Sequence, residues 1–525
     1  MLPRTEEQEQ EAINMGEKDK GVKLDKWGYQ VKTSSDKCIS AINGFYDQVL
    51  NYGRKRSIIL EAPDHDERCV LGNILAAQFL SSTDSSKASF FLQAAKSHYN
   101  EATPYERAVF DAVSYLISED RDDDVALELH TKSTVVAKFG SSSCCVTSCL
   151  VWMFVDILDW SGIEGLAQQQ NLLRDFPRDL LSLKRAQLIC FYMGEPRLYL
   201  DLVEQVLPKN GQEAYIYGML AFPLLELGRM DEAERASRKA LEINQQDLWA
   251  QHCLCHVLQH ECRFAEAVKF MKDCSPSWST CSSFMYTHNW WHVALCYLEG
   301  HSPLEKVLDV YDHHIIAELD RPDAAHAEVY LNALGLLLRL HVRGDISFYE
   351  DRLETLAFHL TDQAIWYMEW HLDVLILWAL ARTGKLSPAQ ELIEGLRSRV
   401  SKMNKKKRQI MQRGLSLAEA LYEYGKGNDK RAVELLGLDF DANDYKVIGA
   451  SDEQLDVFNE VWYTLLLNTG QASKAIEVIE RKLKKRDGLP FLWRLLAKGY
   501  LIMGREEAAS ATEKANILER AYFDG

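Results

Sequence analysis

Apolar residues recur along most of the chain at helical spacing. The segments they mark break at a glycine and resume five residues on with a small side chain: Gly228 then Ala233, Gly384 then Ala389, Gly427 then Ala432, Gly470 then Ala475, Gly504 then Ala509. That pattern predicts helical hairpins, because glycine accepts the left-handed conformation that ends a helix and a small residue lets the returning helix approach closely. Gly194, Gly228 and Cys262 follow one another at intervals of 34 residues, and so do Gly470 and Gly504. Strand signals are scarce: few alternating runs, few Asn-Gly or Asp-Gly turns and 12 prolines in all.

An interval of 34 residues is the tetratricopeptide period. The last unit places Trp493, Leu496, Ala497, Tyr500, Gly504 and Ala509 in the large, large, small, aromatic, turn and small positions of that repeat, and a second unit has Tyr217, Leu220, Ala221, Leu224, Gly228, Ala233 and Ala240. Between them, counting from Cys262, the turns near Gly300, Gly344, Gly384, Gly427 and Gly470 follow at intervals of 38 to 44 residues, so the array is irregular. The expected fold is all-α, a right-handed superhelical α-solenoid of irregular tetratricopeptide-like hairpins.

Upstream the count breaks. The unit around Tyr115, Leu116, Arg121 and Ala126 has its turn 73 residues before Gly194, and 73 less 34 leaves 39, the length of 133–171. Removing that stretch joins His130, Thr131 and Lys132 to Leu172 and restores a repeat ending at Pro177. The removed segment is also foreign in composition, with Cys144, Cys145, Cys149, Trp152, Phe154 and Trp160 among serines. We therefore divide the chain into a disordered acidic leader (1–22), N-terminal helical hairpins (23–132), an insertion (133–171) and the repeat solenoid (172–525). The hairpins are expected to begin near Ile39, with a register that is not legible before Tyr105. A functional loop or an extra hairpin is the competing reading of 133–171.

Composition narrows the classes. The chain is 47% hydrophobic and 26% charged, ordinary for a packed protein. Its formal charge of −17 disfavours nucleic acid and anionic lipid as partners. Two basic runs stand against that trend, one of Lys402, Lys405, Lys406, Lys407 and Arg408, the other of Arg481, Lys482, Lys484, Lys485 and Arg486. Both read as solvated helix ends, since cations favour a helix C-terminus. The first ten residues are acidic and carry no apolar core, unlike a secretory or transit signal. The most apolar stretch, 144–160, contains Asp156 and Asp159, which argues against a membrane span. Twelve cysteines without framework spacing suit reduced thiols in the cytoplasm, or in the nucleus.

One segment is chemically dense. Residues 252–314 hold eight of the 15 histidines and six of the 12 cysteines. His252, His256 and His260 step by four, as do His288 and His292 in His-Asn-Trp-Trp-His, so each set shares a helical face. In the repeat frame His252, His256, His288 and Trp291 fall on first-helix positions that line a concave groove, while Trp290, Ala294 and Tyr297 pack. His256, His288 and His292 are the metal-ligand candidates. No CxxC or HExxH accompanies them, and a network of structural histidines competes with both metal and ligand. No phosphate-binding glycine loop or nucleophile elbow is present. A chaperone-type carboxylate clamp needs Lys and Asn at set positions, where the chain has Lys184 but also Leu188, Met219, Trp249 and Cys253. No cofactor is implied.

Trp249-Ala-Gln-His252 with His256, His288-Asn-Trp-Trp-His292, Tyr311-Asp312-His-His314-Ile315, and Gly449-Ala-Ser451 followed by Gln454, Asp456, Val457 and Phe458 resemble the tetratricopeptide repeat protein 38 family. The likeness runs from about Ile39 over most of the chain, 133–171 excepted. It implies a repeat solenoid without an activity to carry over, and it nominates His252, His256, His288, His292, Asp312 and His314. Gln259 stands where the family tends to have Glu, which removes a carboxylate from the groove and counts against metal or acid–base chemistry.

Two functions are then in play. The first is a non-enzymatic scaffold that binds a protein or peptide on its concave face. The second is a small-molecule or metal-dependent activity in the His-rich groove, at His252, His256, His288, Trp291, His292, Asp312 and His314.

Overall fold

A computed structural model of the chain describes residues 21–117, 172–344 and 346–523. The insertion assigned to 133–171, with Arg121 and Ala126, lies outside them. The described residues form two compact units, one of 21–117 with 172–190 and 201–212, the other of 191–200 and 213–523.

The first unit opens on a two-residue antiparallel pair, β1 (Lys23–Leu24) and β2 (Gln30–Val31). Its helices are α1 (Asp36–Leu50), α2 (Glu61–His65), α3 (Val70–Leu80), α4 (Ser85–His98) and α5 (Pro104–Leu116), with α6 (Leu180–Met193) and α7 (Pro196–Asn210) contributing to both units. Helix α1 starts three residues before Ile39, where Ser35 accepts a hydrogen bond from the Cys38 N–H. Glu106, buried in the first turn of α5, accepts from the N–H groups of Thr103 and Lys32, at 3.0 and 2.9 Å. One carboxylate thereby caps a helix and ties it to the hairpin of β1 and β2.

The second unit runs as eight successive helix pairs. They are α8 (Ala214–Glu226) with α9 (Met230–Ile243), α10 (Leu248–His260) with α11 (Phe264–Cys274), α12 (Ser283–Glu299) with the short α13 (Leu304–Val310), and α14 (His326–Arg343) with α15 (Ile346–His359). After these come α16 (Trp370–Arg382) with α17 (Leu386–Lys402), α18 (Lys405–Gly425) with α19 (Asp429–Leu436), α20 (Asp452–Asn468) with α21 (Ala472–Leu483), and α22 (Pro490–Ile502) with α23 (Glu507–Ala521). Each pair packs on the next along the sequence, as in α9 on α10, α11 on α12 and α21 on α22. This is the α-solenoid of tetratricopeptide-like hairpins that the turn ladder predicts.

The ladder has one recurring hydrogen bond. At the turns the N–H six positions into the motif reaches back to the first carbonyl: Arg229 to Leu224 (2.9 Å), Arg263 to Leu258 (2.8 Å), Lys385 to Leu380 (2.8 Å), Gln471 to Leu466 (2.8 Å) and Arg505 to Tyr500 (2.9 Å). The residue between adopts positive φ, as Gly228 does at 74° and Gly470 at 81°. Cys262 fills the same place at 59° without being glycine. At the turn near Gly300 the left-handed residue is His301 (φ 56°), one position beyond the glycine that marks it in the sequence. A Cβ added at Gly228 would meet nothing within 4 Å. Gly228→Ala is therefore expected to cost only the left-handed backbone penalty, about 1–2 kcal/mol, with His301→Gly shifting stability the opposite way in a denaturant titration.

Ala233, Ala389, Ala432 and Ala475 are fully buried, as predicted. In the last hairpin Ala509 is exposed and Ala508 is buried in its place. There α23 begins three residues after Gly504, whereas α9 begins two after Gly228, so the register moves by one.

First and second helices differ in burial. In α10, 11 of 13 residues are buried, and in α12, 15 of 17, against 4 of 14 in α9, so the first helices are covered on every side. Their cover comes from far along the chain. Helix α14 packs on α20, and the Phe264 ring lies 4.9 Å from that of Tyr522. Arg486, just past α21, donates to the carbonyls of Gln259 (2.9 Å) and His260 (3.1 Å) at the end of α10. The inner face of the array is thus largely packed: His252, His288 and Trp291 are buried in it, and of the four residues expected to line a groove only His256 borders open space.

The basic runs divide. Lys402 ends α17, and exposed Lys405 and Arg408 begin α18 behind the Asn404 cap. In the second run Arg481, Lys484 and Lys485 are exposed, whereas Lys482 pairs with Asp456 at 2.7 Å and Arg486 with Glu299 at 3.3 Å, because this part of the chain closes over the first helices. The nine described cysteines carry no disulfide. No described helix is long and apolar enough to cross a membrane.

Candidate functional site

Helices α10 and α12 bring four histidines into one cluster. His252 and His256 lie one turn apart on α10, and His288 and His292 one turn apart on α12. Ring centroids are 4.4 Å apart for His252 and His256, 4.4 Å for His256 and His292, and 4.7 Å for His288 and His292. All four are at most 3% exposed. One ring nitrogen from each lies within 4.8 Å of the others.

Each imidazole turns its Nδ1 outward to an oxygen. The partners are Asn289 Oδ1 for His252 (3.2 Å), Asn332 Oδ1 for His288 (2.9 Å), Gln259 Oε1 for His292 (2.9 Å) and Glu453 Oε1 for His256 (2.9 Å). The Asn332 amide is oriented by its own donors, since its NH2 group reaches Thr287 Oγ1 (2.9 Å) and the Glu328 carbonyl (3.2 Å). Its oxygen therefore accepts, and His288 carries its proton on Nδ1. The Nε2 atoms of His252 and His256 lie 2.8 Å apart, and that of His292 is buried without a hydrogen-bond partner.

Burial drives the His288 pKa down to about 4 and that of His292 well below the ordinary imidazole value, so both rings are neutral near pH 7. Trp291 stacks on His288 at 5.3 Å and 7°, with the Arg339 guanidinium 5.7 Å from its ring. It serves as a wall of the cluster.

Glu453 comes from the first turn of α20. Gly449 in the left-handed region and a capping box between Ser451 and Gln454 set where that helix starts, which gives the Gly449, Ser451 and Gln454 motif a local structural reason. Burial works to raise the Glu453 carboxyl, but the charge and hydrogen bond of His256 outweigh it and hold the group at about 2.

On the other side of His256 lies a cavity of about 600 Å³, lined from α8, α10, α12, α14, α20 and α21 together with the loop before α20. His256, Gln259, Glu453 and Glu226 face it. Burial pushes the Glu226 carboxyl up to about 8 against the pull of Lys446, 3.8 Å away. Among the cations of the wall, Lys474 pairs with Asp439, Lys482 with Asp456, Arg486 with Glu299 and Arg339 with Glu460. Arg481 and Lys485, four residues apart and exposed at its mouth, have no ion pair among the described residues.

The nominated residues do not all meet. His252, His256, His288, Trp291 and His292 converge. Asp312 instead forms a two-pronged pair with Arg352 at 2.8 and 2.5 Å, and His314 lies flat on Trp290 at 3.6 Å. Neither lines the cavity or belongs to the cluster. Sequence reasoning missed Asn289, Asn332 and Glu453. Asn289 sits inside the quoted histidine motif, and Glu453 directly follows the Ser451 cap; Asn332 carries no local signal. Gln259, read as the loss of a carboxylate, supplies the oxygen that His292 needs.

Compared with known protein families, the chain matches none. Among solved structures it is similar to a human IFIT1 dimer with m7Gppp-AAAA (14% identity, 94% of this chain and 96% of that one, TM-score 0.33) and to a monomeric mutant of IFIT1 with Gppp-AAAA (12%, 92% and 95%, 0.35). It is also similar to the P58(IPK) TPR domain (14%, 77% and 100%, 0.17). These scores are too low to carry an inference about this chain, whose fold rests on its own hairpins.

Proposed function

We propose that this protein is a helical-repeat binding protein that takes a small polar molecule with an anionic group into the cavity beside His256. The observation that carries this reading is the wall of that cavity. Its volume of about 600 Å³ falls in the range of small-molecule sites, and four of its cations are matched by carboxylates while Arg481 and Lys485 are left for a ligand. Glu226, held protonated, offers a donor, and the His256 and Glu453 pair offers a second polar contact. On this reading the mouth attracts an anion despite the net charge of −17, because a local pair of cations outweighs a distant average.

Native mass spectrometry of the purified chain, with thermal-shift screening of carboxylate and phosphate metabolites, tests it. Arg481→Ala with Lys485→Ala is expected to weaken any hit about tenfold or more, each charge-assisted contact being worth about 1.5–3 kcal/mol, while leaving the unliganded melting temperature in place. A hit equally strong in the double variant overturns the anion reading. The scaffold reading keeps one observation in its support, the exposed Leu501, Ile502, Met503 and Ile517 of the last hairpin, an apolar surface of the sort that partners cover. An empty ligand screen beside a stoichiometric protein recovered at several salt concentrations favours it. Membership of the tetratricopeptide repeat protein 38 family, a cytoplasmic or nuclear setting and the absence of a nucleic-acid partner belong to this proposal and rest on the residues and charge described above.

A further inference from the structure

We infer that His252, His256, His288 and His292 form a binding site for one transition-metal ion of the zinc type, held by one ring nitrogen from each behind the cavity wall. The inference stands independently of what fills the cavity.

Three observations carry it. The first is the direction of the rings. The Nδ1 atoms of His252, His288 and His292 are hydrogen-bonded to the side-chain oxygens of Asn289, Asn332 and Gln259 at 2.9 to 3.2 Å, and that of His256 lies 2.9 Å from Glu453 Oε1. An N–H given to an oxygen on the far side is how proteins fix the tautomer and angle of a metal-bound imidazole. The Nε2 atoms of His252, His256 and His292 are left on the other side of their rings, toward one another.

The second is the contact between the Nε2 atoms of His252 and His256 at 2.8 Å. With both Nδ1 atoms protonated, two lone pairs face each other at that distance, and something positive has to lie between them, either a proton or a metal ion. The third is His292 Nε2, wholly buried, aimed into the same space and without a hydrogen-bond partner. An orphaned buried acceptor costs about 1–3 kcal/mol unless something completes it.

The donor set selects the ion. Four imidazole nitrogens suit zinc, cobalt, nickel, copper or ferrous iron, and do not suit magnesium or calcium. A tetrahedral ion bonded at about 2.0–2.1 Å sets its nitrogens roughly 3.3 Å apart. The present span of up to 4.8 Å between chosen ring nitrogens closes to that by side-chain rotation, while the 2.8 Å pair opens. The Glu453 carboxylate beside His256 supplies part of the counter-charge.

The test uses the full chain. Protein stripped with chelator is reloaded with Zn2+ or Co2+, and bound metal is measured by mass spectrometry and by the visible absorption of Co2+ in a nitrogen-rich four-coordinate site. About one equivalent per chain is expected, lost in His288→Ala and His292→Ala and kept in His313→Ala, which alters an exposed histidine that faces Asp309. Should the cluster variants not fold, Gln259→Leu removes only the oxygen behind His292 and is expected to weaken Zn2+ about 10–100-fold. Wild-type protein that holds less than about a fifth of an equivalent after loading, or that binds no better than His292→Ala, overturns the site and leaves a shared proton as the occupant. Arg481→Ala with Lys485→Ala should leave metal content untouched, so failure here and failure of the cavity reading are separable.

Discussion

Glu460→Ala is expected to lower the free energy of unfolding by about 3–5 kcal/mol, the usual cost of stripping a buried ion pair of one partner. Glu460 on α20 accepts from Arg343 Nη2 at 2.6 Å and Arg343 Nε at 3.1 Å, with Arg339 Nη1 at 3.4 Å. The three side chains are between 2% and 7% exposed. Arg339 also donates to the Glu453 carbonyl, and Arg343 keeps a longer contact with Glu299 at 3.5 Å. Removing the carboxylate leaves two buried guanidinium groups without their shared partner, and a single more distant glutamate cannot offset both. Because α14 and α20 meet through this network, the loss should appear as a lower midpoint in urea followed by circular dichroism. Glu460→Gln, which keeps one of the two acceptor oxygens and loses the charge, should fall between. A change below about 1 kcal/mol in the alanine variant would mean that the network is solvated and contributes as little as a surface pair.

Glu226→Gln should do the reverse, stabilising the protein by about 2–4 kcal/mol near pH 7–8, where each unit of pKa displacement corresponds to about 1.4 kcal/mol. Burial raises the folded pKa of this carboxyl to about 8 from an ordinary value of 4.5. Between those values the folded state holds a proton that the unfolded chain has released, so stability falls as pH rises through the window. The amide removes that loss, and the gain should be largest at pH 8 and vanish near pH 4.5. Denaturation at several pH values reads it directly. A gain that does not depend on pH would show that Glu226 is ionised in the fold. Keeping a carboxyl protonated against such a cost is a mark of use, which ties this measurement to the cavity proposal.

The buried histidines have the opposite slope. His288 and His341 are pushed to about 4, and His371 to about 3, chiefly by burial. Their unfolded counterparts take up protons near the ordinary value of 6.5, so acid weakens the fold from about pH 6.5 downward. Glu226 and these histidines therefore pull stability in opposite directions between pH 4.5 and 6.5, and the single variants are more informative than the wild-type profile.

Sequence alone determined what is local. The hairpin ladder was legible because a helix end needs a left-handed residue and a close return needs a small one, and both demands fall on fixed positions such as Gly228 and Ala233. It was equally clear that His252 and His256 share a face, as do His288 and His292, since helical spacing alone sets that. Where a neighbour replaces glycine, as at His301, or the returning helix starts one residue later, as before Ala508, the reading slipped by one. Only the tertiary structure decided which way those faces look. They were expected to line an open groove, and they are buried because α20, α21 and the chain through Arg486 cover first helices that lie some 200 positions earlier, a contact without periodicity in the sequence. The same closure turned Lys482 and Arg486 from solvent toward Asp456 and Glu299 and set Glu453 behind His256, while Asp312 and His314 stand apart from the cluster, on Arg352 and Trp290. The physical reason is that a repeat specifies its contacts with the next repeat, while the winding of the array, summed over small rotations at many interfaces, decides which distant side chains meet.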